Sequence, residues 1–86
     1  MIEPFDDIAP SGRELTDYDR SHVKLYVRLL DAAAEGARWE EAVQVLFGLD
    51  PVREPQRCRH IYDSHLDRAR WMTHTGYRHL LRQVHS

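Results

Sequence analysis

The sequence predicts an all-α fold, a small helical bundle built around two long amphipathic helices. Three observations predict it. Apolar residues recur at three- and four-residue spacing over residues 17–35 and again over 55–74. Gly36 and Gly48 stand just past the points where two periodic segments stop, the usual place for a helix to end. No alternation of apolar and polar residues at strand length competes with the helical pattern, and no internal repeat is present.

Length and composition set the limits. Eighty-six residues make one domain, and a chain of this size buries only roughly 60–65% of the surface its unfolded form exposes. A hydrophobic fraction of 42% with two Trp fills one small core. No apolar run approaches the length of a membrane span, and the acidic start Glu3-Pro4-Phe5-Asp6-Asp7 is no signal peptide. The single cysteine, Cys58, has no partner for an internal disulfide, so a reducing cytoplasm is the expected location. The 12 Lys+Arg and 14 Asp+Glu are unevenly placed: residues 1–20 carry a net charge of −4, residues 21–50 carry −2 and residues 51–86 carry +4. Such asymmetry marks an interaction surface, or an acidic arm that shields a basic one.

The elements follow in order. Residues 1–15 hold Pro4, Pro10 and Gly12 with little periodicity, and their composition suits an irregular, mobile acidic leader. The folded domain is expected over 16–86. Thr16 or Asp17 offers an N-cap for a first helix running to about Glu35, and Gly36 is its C′ stop. A second helix is predicted from about Arg38 to Phe47, with Trp39, Ala42, Val43 and Leu46 on one face. Pro51 and Pro55 prevent a continuous helix through the next segment. Pro55 suits the first turn of a third, long helix reaching about His74. Thr75-Gly76 breaks it, and Tyr77 to about Val84 is a short last helix. The second and third helices therefore flank a turn of about seven residues, where an ordinary helix-turn-helix has three or four. The pattern is a helix-turn-helix variant with an extended turn.

At about 100° per residue, the apolar residues of the first helix form one arc of roughly 220°, from Ala32 and Leu25 through Leu29 and Tyr26 to Val23, Ala34 and Val27. An arc wider than one-sided docking requires has two readings. The helix is central and covered on two sides, or the flank carrying Leu25, Tyr26 and Leu29 is partly uncovered and receives a partner protein. On the third helix Cys58, Ile61, Tyr62, His65, Leu66, Ala69 and Met72 share the apolar arc. The opposite face is centred on Asp67, with Asp63, His60 and Gln56 beside it; Arg59 and Arg70 lie to one side, Arg57 and Arg68 to the other. A helix that reads DNA should aim Arg, Lys, Asn or Gln at bases and phosphates, and two carboxylates at the centre of its outward face oppose that. Trp71 falls on the polar side; it is expected either under the last helix, beside Tyr77 and Leu80, or as an aromatic anchor for a partner.

Other constellations carry less. Asp63, Ser64 and His65 are consecutive on one helix, project about 100° apart and cannot form a nucleophilic relay. The six His and Cys58 show no metal-ligand spacing, and His60 and His65 point to different faces. No glycine-rich phosphate loop exists. No enzyme activity, cofactor or metal is expected.

The segments Tyr26-Val27-Arg28-Leu29-Leu30-Asp31-Ala32, Glu35-Gly36, Tyr62-Asp63-Ser64-His65-Leu66, Arg68-Ala69-Arg70-Trp71-Met72 and Gly76-Tyr77-Arg78-His79-Leu80-Leu81 resemble the RovC-like DNA-binding domain family, over residues 17 to 82. The resemblance implies an extended-turn helix-turn-helix used in bacterial transcription control, often on integrative and conjugative elements, with quorum sensing. Activators of the family carry a second, N-terminal domain, for which these 86 residues have no room. A lone acidic copy resembles the family's stand-alone antiactivators. The expected partner is then the N-terminal domain of a cognate activator, bound through Leu25, Tyr26, Leu29 and Trp71, with nucleic-acid binding weak or absent and no membrane. The alternative is a sequence-specific DNA-binding regulator using Arg57, Arg59, Arg68 and Arg70.

Overall fold

The computed structural model describes residues 4–76. Within them the chain forms helix α1 (Asp17–Ser21), helix α2 (Val23–Ala34), helix α3 (Trp39–Ala42) continued by a π-helical turn (Val43–Phe47), and helix α4 (Pro55–Trp71) continued by a second π-helical turn (Met72–Gly76). No strand occurs among the described residues. The architecture is the expected all-α bundle. The predicted last helix from Tyr77 lies outside the described residues.

Thr16 is the N-cap of α1. Its hydroxyl accepts from the Asp19 amide, and the Asp19 carboxylate accepts from the Thr16 amide at 3.0 Å, a reciprocal capping box. The predicted single first helix is broken at His22, whose φ of −115° and ψ of 18° leave the helical region. The cause is a side chain competing with the backbone. His22 Nδ1 lies 2.7 Å from the Tyr18 carbonyl oxygen, the acceptor that its own amide would use in a continuous helix, and that amide bonds Asp19 instead. Helix α2 ends as expected. Gly36 takes φ 77°, its amide donates to Ala33 and the next amide, of Ala37, to Ala32, which satisfies the last carbonyls.

The second helix widens into a π-helical turn before Gly48, whose φ is 66°. The turn that follows spans residues 48–54 and has the expected length. Asp50 organises it: its side chain accepts from the Val52 amide at 2.9 Å and its carbonyl from the Glu54 amide at 3.2 Å. Pro55 then opens α4 at the first helical position.

Packing is centred on α2 against α4, with α3 and its π-helical turn closing the third side. Leu25, Tyr26, Leu29, Val43, Phe47, Cys58, Ile61, Leu66 and Ala69 form the core. The apolar arc of α4 is buried as its spacing predicts, and Met72 packs against its edge. The leader corrects expectation. It is irregular in backbone but seated on the bundle: Ala9 is buried, and the Phe5 ring meets Phe47 edge-on at 4.9 Å between centroids. Its Asp6 amide donates to the Tyr18 hydroxyl and its Ala9 amide to Ser64 Oγ.

Leu29 has no solvent exposure. Truncation to alanine is therefore expected to cost about 2–5 kcal/mol, read as a lower urea midpoint with unchanged slope, and Leu29→Asp is expected to leave no folded protein by circular dichroism.

Candidate functional site

The outward side of α4 is the surface on which a helix-turn-helix domain does its work, and ion pairing determines what that side offers. Arg68 does not belong to it. The residue is 3% exposed, and its guanidinium grips Asp19, itself fully buried, through two hydrogen bonds: Nε to Oδ1 at 2.9 Å and Nη2 to Oδ2 at 2.6 Å. Arg68 also donates to the backbone carbonyls of Gly12 and Glu14 in the leader. Asp19 Oδ1 further accepts from the Tyr26 hydroxyl at 2.9 Å. Burial pushes the Asp19 carboxyl up, and the hydrogen bonds from Arg68, Thr16 and Tyr26 outweigh it, holding the group below the usual carboxylate value. Burial and the neighbouring Asp19 charge raise the Tyr26 phenol. Arg68 is thus a structural cation, and its assignment to DNA contact is overturned. The sequence carried a signal for this. Seven residues after Ile61, Arg68 lies only about 20° from it on the helix.

The other arginines differ. Arg57 is forked on Asp7 of the leader, with Nε to Oδ2 at 3.0 Å and Nη2 to Oδ1 at 2.9 Å, while Nη1 reaches Glu54 at 3.2 Å. The hydrogen bonds to Asp7 raise the Arg57 guanidinium and lower the Asp7 carboxyl. Arg59 pairs with Asp63 at 3.1 Å, four residues on, and stands over the Trp39 ring at 5.3 Å. Arg70 is exposed. Asp67 is exposed on the same side, at the centre predicted for it.

The partner candidates on α2 are also overturned. Leu25, Tyr26 and Leu29 are all buried in the core, because α4 and the π-helical turn cover the middle of the apolar arc. The uncovered part is one end of that arc, where Val23 and Val27 are 42% and 50% exposed and Ala34 is exposed. Trp71 is half-buried, with the Arg68 guanidinium over its ring at 3.9 Å. It lines a cleft of about 300 Å³ between leader and α4, together with Ile8, Pro10, Ser64 and Asp67. Its expected neighbours Tyr77 and Leu80 lie outside the described residues.

His65 is fully buried. Its Nδ1 donates to the Ile61 carbonyl at 2.8 Å, so Nε2 is the acceptor for the Tyr18 hydroxyl at 2.6 Å. Burial lowers its pKa. Asp63 is turned to Arg59 and Ser64 Oγ donates to Ile61, so the consecutive Asp, Ser and His make no relay. Among the described residues no three His, Cys, Asp or Glu side chains converge as a metal site would require, and no helix is long and apolar enough to cross a membrane.

Two helices about an extended seven-residue turn, with the longer one facing outward, define the class of helix-turn-helix regulators of transcription. A family model described as the DNA-binding domain of T6SS transcription factors (RovC_DNA-bd) matches residues 6–82, and the chain belongs to that family. This is not an enzyme family. The match begins inside the leader, which the structure makes part of the bundle. No curated protein matches the chain.

Removing one partner of the buried pair strands the other. Asp19→Ala should cost about 3–5 kcal/mol, and the double variant Asp19→Ala, Arg68→Met should recover part of that loss in a denaturation cycle. Stability should also fall in acid in two windows. His65 binds its proton less readily folded than unfolded, so stability drops as pH falls below its ordinary 6.5. The Asp19 contribution is complete above its ordinary 3.8 and is lost as pH falls through the lower folded value. Thermal melts across pH 3–7 read both windows.

Proposed function

We propose that this domain controls transcription by contact with a protein rather than by holding DNA on its own: it acts as an antiactivator that binds the N-terminal domain of a cognate activator of its family and blocks activation. The observation that supports this best is the state of the reading helix. Of the four arginines that α4 supplies, Arg68 is buried on Asp19, Arg57 is forked on Asp7 and Arg59 is paired with Asp63. Asp67 stands exposed at the centre of the outward face. A carboxylate there opposes a phosphate backbone, whose contacts supply most of a DNA-binding domain's affinity.

Family membership supports the mode of action. A domain with the shape of the activator's own DNA-binding domain can occupy the surface which that domain packs against, and need not share its charge. The contact is assigned to the apolar end of the α2 arc, Val23 and Val27 at i and i+4, with Ile8 and the half-buried Trp71 as a second apolar group. Transfer of an integrative and conjugative element is the process this reading places under its control.

A second reading, a DNA-binding regulator, is favoured by the family description itself and by the exposed Arg53 and Arg70. Duplex titration separates the two. Non-specific binders reach Kd values of ~10⁻⁴–10⁻⁶ M at physiological salt, so at low salt the protein-contact reading expects no change in the anisotropy of labelled duplex DNA at tens of micromolar protein, roughly the middle of that range. Tight, salt-steep binding by the unaided domain would establish the second reading. On the protein side, Val27→Asp should keep the helical circular dichroism spectrum and lose co-purification with the co-expressed activator; full retention excludes the α2 flank.

A further inference from the structure

We infer that residues 4–9 of the leader form an electrostatic strap, in which the Asp7 carboxylate sits on Arg57 where a nucleic-acid phosphate would and keeps that surface of α4 closed. Around Arg57, the segment 51–62 carries Arg53, Arg57 and Arg59 with His60 against Glu54 alone. It carries a net charge of +2 and includes the start of the reading helix. Arg57 is its most completely occupied cation. Nε and Nη2 meet the two Asp7 oxygens and Nη1 meets Glu54, so three of the guanidinium's nitrogens are engaged. Two parallel N–H donors on two oxygens is the geometry with which arginine takes a phosphate, so Asp7 occupies the same donors.

Asp7 is delivered rather than captured. The residue on one side donates its amide to the Tyr18 hydroxyl, and two residues on the Ala9 amide donates to Ser64 Oγ. His22 Nε2 lies 2.6 Å from the Pro4 carbonyl oxygen, and Phe5 rests on Phe47. None of these contacts uses the Asp7 side chain, so the leader remains seated when the carboxylate is neutralised. An isolated exposed ion pair contributes little, roughly 0–1 kcal/mol. A carboxylate held beside its arginine by four other contacts acts instead at high effective concentration, and an incoming phosphate must displace it.

The inference rests on the proposed function only in taking the affinity of the natural domain for DNA to be low. Its test is a comparison of Asp7→Asn with Asp6→Asn, which removes the same charge from the adjacent residue without opening the fork. For a labelled duplex of about 20 base pairs at low salt, titrated beyond the non-specific range to roughly 10⁻³ M protein so that the weak natural affinity is itself read, Asp7→Asn should bind at least about threefold tighter than the natural sequence, the strength of an exposed pair. Its salt slope should be steeper by about 0.9, one additional phosphate contact. Asp6→Asn should give a smaller gain with an unchanged slope, and adding Arg57→Gln to Asp7→Asn should abolish the gain. Equal behaviour of the two single variants, or no measurable binding by Asp7→Asn, overturns the strap. Tight binding by the natural sequence overturns instead the protein-contact reading.

Discussion

The buried pair of Asp19 and Arg68 is the constraint on which the arrangement of the chain depends. Two charges withdrawn from water are tolerated only when their polar atoms find partners, and here each buried side-chain nitrogen and oxygen has one. Asp19 takes hydrogen bonds from Thr16, Tyr26 and Arg68, and Arg68 donates further to the carbonyls of Gly12 and Glu14. The start of α1, the middle of α2, the last turns of α4 and the end of the leader thereby meet at one carboxylate. An apolar contact tolerates a shift of an ångström; this junction does not. It fixes how far along α4 the leader sits, and so places Asp7 opposite Arg57.

A second polar layer lies beside it. Tyr18 bridges Asp6 and His65 through its hydroxyl, stacks on the His22 ring at 3.9 Å, and sits where burial raises its phenol. His22 in turn ties the Pro4 carbonyl to the break between α1 and α2. The cost is one lost helical hydrogen bond at that break. The return is a leader whose backbone amides are satisfied by side chains of the bundle, which an irregular segment needs before it can be buried.

Much of this molecule was legible in its sequence, and the misses share a cause. Thr16 as a cap, Gly36 and Gly48 as stops, Pro55 as a first residue, the long turn and the apolar arc of α4 are decided by neighbours in the chain, and the structure agrees at each. The break at His22 depends on Pro4 and Tyr18. The seating of the leader depends on side chains up to 56 residues away, which periodicity does not register. For the site, the carboxylates of the outward face were readable from spacing alone. The choice among the arginines was not, because Arg57 and Arg68 are committed by partners in a segment whose composition resembles that of a free tail. The wide arc of α2 was ambiguous for the same reason: what covers an arc lies elsewhere in the chain, and here it covers Leu25, Tyr26 and Leu29 and spares Val23 and Val27.

The leader leaves the ribosome before the helix that completes its seat, and cannot find its place until that helix follows. Of the groups that hold it, those on α4 lie at sequence separations of 50 to 56 residues. Small helical bundles ordinarily fold fast because their contacts are local. This one closes its longest loops through its first dozen residues, which stay without their α4 partners until that helix has been synthesised. Completion of the native state is thereby tied to the synthesis of α4.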